Sequence, residues 1–273
     1  MNKKIFLFLL SLALTKNVLP ADQAPLYHVT EDGETPLHYA ARKGDHALLR
    51  KILAVNFCDN SQDTPLHYAA YNGQLKCLQT LLKHGANVNA RNDKKKTPLH
   101  YATSQGHVAC LQELLAAKAD VKILDIHGSA PLHRAAQKGR LGCLIELLKH
   151  TNVDIQSKAH ITPLHFAAFQ GRPACLMALL NKGAIIDAQA INKSTPLHAA
   201  ASQGNARCVT ILIKHGADRE AQDCNGKTPA ALAKENGHLE IANYIRNAEC
   251  ETDVIEAFMN MFLEDSKDLV DHE

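Results

Sequence analysis

The chain of 273 residues has no tryptophan, and its aromatic content is only 5%. That scarcity excludes no fold, because apolar residues make up 46% of the chain, ample for a core. Other absences exclude more. There is no glycine-rich phosphate loop, no H-E-x-x-H and no G-x-S-x-G, so no catalytic constellation can be assembled from motifs. No C-x-x-C or Cys/His cluster is present, which leaves the eight cysteines without a metal or redox framework. The longest apolar run, Ile5 to Leu14 with a single Ser11, is too short to anchor in a bilayer. Charge of one sign does not dominate: the net charge is +2. It is unevenly spread, with −8 on residues 249–273 and +10 on the remainder.

What is present is a repeated tetrapeptide. Thr35-Pro36-Leu37-His38 returns at Thr64, Thr97, Thr162 and Thr195, with a variant at Ala130 and a worn copy at Thr228. The intervals are 29, 33, 33, 32, 33 and 33 residues, the self-similarity of a stacked repeat. Threonine suits a helix N-cap, where its hydroxyl accepts from a free backbone N–H. Proline follows at the first helical position, where its missing N–H costs nothing. A glycine then closes each short helix: Gly44, Gly73, Gly106, Gly139, Gly171, Gly204 and Gly237. A second apolar run follows, such as Leu75, Cys77, Leu78, Leu81 and Leu82, at amphipathic helical spacing. The pattern predicts seven units of helix, turn, helix and loop.

Thr64 to Ala70, then Gly73, then Leu81 to Ala90 resemble the ankyrin repeat almost letter for letter. The resemblance covers about residues 30–248 and implies an all-α repeat solenoid with loop or β-hairpin connections. It further implies that His38, His67, His100, His133, His165 and His198 bond the turns between repeats. A metal ladder is excluded separately: rungs about 8–10 Å apart cannot share one zinc at roughly 2 Å per bond. Three departures are visible: a shortened loop before Asp59, Lys118 in place of the second glycine in repeat 3, and Thr151 there in repeat 4.

Cys77, Cys110, Cys143, Cys175 and Cys208 lie 13 residues after their repeat's Thr or its equivalent; Leu48 and Ile241 hold that place in repeats 1 and 7. A position that accepts Cys, Leu and Ile is a small apolar core position. The rung spacing also exceeds the roughly 7 Å limit for a disulfide, so five unpaired thiols are expected. Cys58, Cys224 and Cys250 fall in loops or the tail. Residues 1–21 read as a secretory signal peptide: a basic start at Lys3-Lys4, the apolar run, and a small-residue exit at Ala21. Many free thiols fit an oxidising compartment poorly, so they require burial or a reducing destination.

Residues 22–248 form the repeat domain and 249–273 an acidic tail. In that tail Val254, Ile255, Phe258, Met259, Phe262 and Leu263 recur at helical spacing. A helix capping the open end of the array and a tail docking elsewhere are both open readings. Stacked repeats present an extended concave surface. The resemblance places the seventh and eighth residues after each Thr in that groove, and the residues two to four before it at loop tips. The candidate contacts are therefore Arg42, Tyr71, Gln105, Lys138, Phe169 and Gln203 in the groove, with Lys94, Ile126, His127 and Ile191 at the tips. Tyr71, Phe169, Ile126 and Ile191 are apolar where solvent is expected, as binding hot spots are. Tyr39, Tyr68, Tyr101 and Phe166 follow the repeat histidine and are expected to be half-buried packing.

The expected function is non-enzymatic binding of an unidentified protein partner by a monomer. No cofactor, metal, nucleic acid or stable membrane insertion is expected. The signal resembles a bacterial one, and the resemblance to exported bacterial ankyrin proteins implies a periplasmic partner or one inside a host cell. The alternative is a cytoplasmic scaffold or inhibitor.

Overall fold

The computed structural model describes residues 30–45 and 56–247. The expected signal peptide, the acidic tail, Leu48 and Cys250 lie outside the described residues. Contacts divide the chain into two compact units at Asp120/Val121, between the third and fourth repeats.

The first unit holds α1 (Pro36–Lys43), α2 (Pro65–Tyr71), α3 (Leu75–Lys83), α4 (Pro98–Gln105) and α5 (Val108–Ala116). The second holds α6 (Pro131–Lys138), α7 (Leu141–Leu147), α8 (Pro163–Phe169), α9 (Pro173–Asn181), α10 (Pro196–Ser202), α11 (Ala206–Lys214), α12 (Pro229–Glu235) and α13 (Leu239–Asn247). In each unit the first helices of successive repeats stack in one row and the second helices in another. Among the described residues no helix exceeds nine residues. Isolated helices that short are unstable in water, so each depends on its neighbours.

The tetrapeptide leucines Leu37, Leu66, Leu99, Leu132, Leu164 and Leu197 are fully buried. Each contributes about 1.5–3 kcal/mol of burial. The alanine pairs Ala69-Ala70 and Ala167-Ala168 beside them are also buried and let neighbouring backbones approach. The second helices bury a Cys-Leu stripe: Cys77, Leu78 and Leu81 in α3, and Cys143, Leu144 and Leu147 in α7. All five repeat cysteines are buried and unpaired, while Cys58 and Cys224 are exposed.

The helix starts are reciprocal. Each capping box pairs the Thr with the His three residues on, in place of the usual Glu or Gln. The Thr64 N–H donates to His67 Nδ1 at 3.0 Å, and the Thr64 hydroxyl lies 2.9 Å from the same nitrogen. Ala130 supplies no hydroxyl, yet its N–H still donates to His133 Nδ1 at 3.0 Å. Thr228, whose repeat lacks the histidine, caps in the ordinary way by accepting from the Ala231 N–H.

The connections follow one design, without strands among the described residues. Five residues before each Thr, the backbone turns back on itself, as where the Asp59 N–H donates to the Asp63 carbonyl at 3.0 Å. An acceptor side chain brackets the turn: Asp59 Oδ1 takes the N–H groups of Ser61 and Asp63, an Asx turn. Asn92, Asp125, Ser157 and Asp223 repeat this bracket. Inside the turn one residue adopts positive φ; it is Gly33, Gly128 and Gly226 in three repeats, but Gln62, Lys95, His160 and Lys193 in the others. Lys118 takes φ 64 where repeat 2 has Gly85, so the missing second glycine leaves the local conformation unchanged. Repeat 4 differs: Leu148, with φ −64, caps α7, and Thr151 has no positive φ.

Candidate protein-interaction surface

The repeat histidines set the register of the loops. His67 Nε2 meets the Lys96 carbonyl at 3.1 Å, and His38 Nε2 the Asp63 carbonyl at 2.9 Å. In the second unit His133, His165 and His198 each reach a carbonyl of the next repeat at 3.0 Å. A carbonyl can only accept, so Nε2 carries the proton; a backbone N–H can only donate, so Nδ1 is bare. The neutral tautomer is thereby required at both ends. Burial reinforces it, pushing His67 and His133 down to about 4 and lowering His38, His165 and His198.

Neighbouring tips are tied to one another across repeats 1 to 3 in the first unit and repeats 5 to 7 in the second. The Asn60 N–H donates to Asp32 O, and the Asp93 N–H to Ser61 O. The Ile191 N–H donates to Ala159 O, and the Cys224 N–H to Asn192 O. Side chains on these tips therefore project from a hydrogen-bonded frame.

The tip and groove candidates fall into three groups. Tyr71 (47% exposed), Phe169 (43%), Ile126 (49%) and Ile191 (64%) are large apolar side chains facing solvent. Lys94, His127, Lys138 and Gln203 are exposed polar residues. Arg42 and Gln105 are half-buried, and the Arg42 guanidinium lies 3.2 Å from Glu34. Tyr68, Tyr101 and Phe166 are half-buried and set their rings edge-on to His38, His67 and His133 of the preceding repeat. Tyr39 departs from that expectation: it is 49% exposed, and Arg42 stands over its ring at 5.7 Å.

In the first unit these side chains converge. Tyr68, Tyr71 and Tyr101 line a cavity of about 190 Å³ with Asp63 and His67. The Tyr71 and Tyr101 rings meet edge to face at 5.6 Å. The Tyr68 hydroxyl donates to Asp59 Oδ2 at 2.7 Å and lies 3.0 Å from Glu34 Oε1. The Tyr101 hydroxyl faces Asp63 Oδ2 at 3.3 Å, and Asn92 donates to Asp63 Oδ1 at 2.9 Å. Burial, with the charges of Asp59 and Asp93, pushes Asp63 up to about 6. Of this cavity only Tyr71 was singled out in the sequence as a contact. Asp63 carried one usable signal: it directly precedes Thr64, the place whose carbonyl accepts from the preceding repeat's histidine.

Among the described residues, no group of three or more His, Cys, Asp or Glu is arranged to hold a metal ion. No described helix is long and apolar enough to cross a membrane.

Comparison with known proteins agrees with this geometry. The ankyrin repeats family model matches in three copies, over residues 5–92, 90–159 and 164–255. The crystal structure of the human ASB11 ankyrin repeat domain is similar at 32% identity and a TM-score of 0.71, covering 78% of this chain and 98% of that one. The ankyrin repeat domain of Bcl-3, described as a unique member of the IkappaB protein family, is similar at 26% identity and a TM-score of 0.67, covering 78% of this chain and all of that one (100%). No curated protein matches the chain. With its seven-fold tetrapeptide, paired helices and histidine-locked loops, the chain belongs to the ankyrin repeat family.

Proposed function

We propose that this chain is a non-catalytic module that binds another protein through the residues seven and eight after each repeat threonine and through its loop tips. Ankyrin repeat domains are protein–protein interaction modules, and that coarse function applies here. The observation that supports the finer reading is the set of solvent-facing apolar side chains, Tyr71, Phe169, Ile126 and Ile191, of which Ile191 stands on a tip hydrogen-bonded to its neighbour. Preformed surfaces lose little entropy on binding, and rigid aromatic anchors contribute most of the energy. Affinity capture with the wild-type chain and a Tyr71→Ala, Phe169→Ala variant tests it. A partner retained by the wild type and lost by the variant supports the reading; a partner held equally by both moves the site elsewhere.

The proposal includes export, on the three-part pattern of residues 1–21. The first family match begins at residue 5 and competes for those same residues. N-terminal sequencing of the native protein decides: a start near Asp22 supports export to the periplasm or a host cell, and an intact Met1 supports the cytoplasmic scaffold.

A further inference from the structure

The cavity between the second and third repeats contains a carboxylate, Asp63, that makes no ion pair with a lysine or arginine among the described residues. Among the described residues, the ionisable nitrogen that comes within 4 Å of the Asp63 carboxylate is His67 Nδ1, at 3.9 Å. That nitrogen already accepts the Thr64 N–H and stays neutral, so it cannot balance the charge. Asp59 and Asp93 add negative potential, which is part of what holds the Asp63 carboxyl partly protonated near pH 6. Around this carboxylate stand Tyr68, Tyr71 and Tyr101, and Tyr71 is open to solvent. Phenol faces attract cations by their quadrupole. The chain shows both halves of that attraction. The Lys96 ammonium lies 5.6 Å from the Tyr101 centroid. In the fourth repeat Arg134 occupies the place of Tyr68 and donates through Nε at 3.1 Å to Asp125, the counterpart of Asp59.

We propose that this three-tyrosine cavity receives an arginine side chain from a basic segment of the partner protein, with the guanidinium against Tyr71 and its donors on Asp63. Charge complementarity selects the occupant. A carboxylate beside aromatic faces favours a planar cation with several donors over an apolar or acidic side chain. This rests on the protein-binding reading above and adds the chemistry of one contact.

The test is an NMR titration of the full chain, following the Asp63 carboxyl carbon and the tyrosine rings. The probes are a blocked Gly-Arg-Gly tripeptide and its citrulline counterpart, which has nearly the same shape without the charge. The expected result is a saturable shift at Asp63 and Tyr71 with the arginine peptide. The citrulline peptide should bind at least about tenfold more weakly. Tyr71→Ala and the near-isosteric Asp63→Asn should each abolish the shift while leaving the urea midpoint close to wild type. Should either variant unfold, Tyr71→Phe, which keeps the ring, must retain the response. Equal binding of the two peptides, no saturation, or a response that survives Tyr71→Ala would overturn the proposal. A partner lost on Tyr71→Ala, Phe169→Ala with no arginine response would overturn this contact while leaving the binding reading intact. An arginine response with no Tyr71-dependent partner would do the reverse.

Discussion

Acid should weaken the second unit through His133, and the size of the effect follows from the burial of its ring. The folded ring titrates at about 4, because burial outweighs the favourable carbonyls of Ile161 and Ile155; Asp125 opposes the shift and Arg134 assists it. The unfolded ring titrates near 6.5. Folding therefore favours the neutral ring. The stabilisation is fully present above about pH 6.5 and is lost progressively as the pH falls from 6.5 towards 4. Linkage gives about 2 kcal/mol lost between pH 7 and pH 5 for this one residue. The geometry explains the sign: a proton on Nδ1 would face the Ala130 N–H at 3.0 Å, donor against donor. Urea unfolding of the full chain at pH 7 and pH 5 measures this, with His133→Gln as the reference that cannot titrate. The wild type should lose about 2 kcal/mol more than the variant across that interval. Equal losses would refute the reasoning. His133 is the better probe than His67, because Asp63, raised to about 6, takes up a proton in the folded state over the same range and offsets the loss.

Three further expectations concern the frame. Cys224 should react readily with a thiol reagent at neutral pH, and Cys58, also exposed but pushed up by burial and the charges of Asp59 and Asp63, more slowly yet without unfolding. Cys110, Cys143 and Cys175, pushed up to about 11 by burial, and Cys208, pushed up to about 12, should react only on unfolding; rapid native labelling of Cys143 would show the helix register to be wrong. Lys118→Gly should raise stability by about 0.5–1 kcal/mol, because a lysine there bears left-handed strain that glycine relieves; an unchanged thermal midpoint would count against that strain. Gly128→Ala should lower stability by about 1–3 kcal/mol, since its φ is 74 and a Cβ would stand 2.8 Å from the Lys158 backbone nitrogen; a neutral effect in urea unfolding would show that the tip gives way freely.

Much of the frame was legible because its causes are local. The Thr-Pro start, the glycine stops and the Cys-Leu stripe each act within one repeat, and the 33-residue interval multiplied their signal. The bracketing residues at the tips, Asp59, Asn92, Asp125, Ser157 and Asp223, are just as periodic and were readable by the same means. The arrangement of the candidate site was not. Tyr71 looked like an isolated exposed aromatic and Tyr101 like helix packing; they belong to different repeats, 30 positions apart. Tyr39 shows the same limit from the other side, since its periodic place is that of half-buried Tyr68 and Tyr101, yet its ring lies exposed under Arg42.

By itself, then, the sequence determined the repeat, its helices and its buried thiols, because capping, helical periodicity and apolar burial depend on residue type and spacing. Tertiary structure alone decided which carbonyl each histidine meets, and hence its tautomer, and how deeply each ring is buried, which lowers the pKa of His67 and His133. A backbone oxygen has no residue identity to read, and it comes within reach only when the next repeat packs. Stacking likewise brought three tyrosines around Asp63, because proximity across repeats is set by the rise from one helix pair to the next.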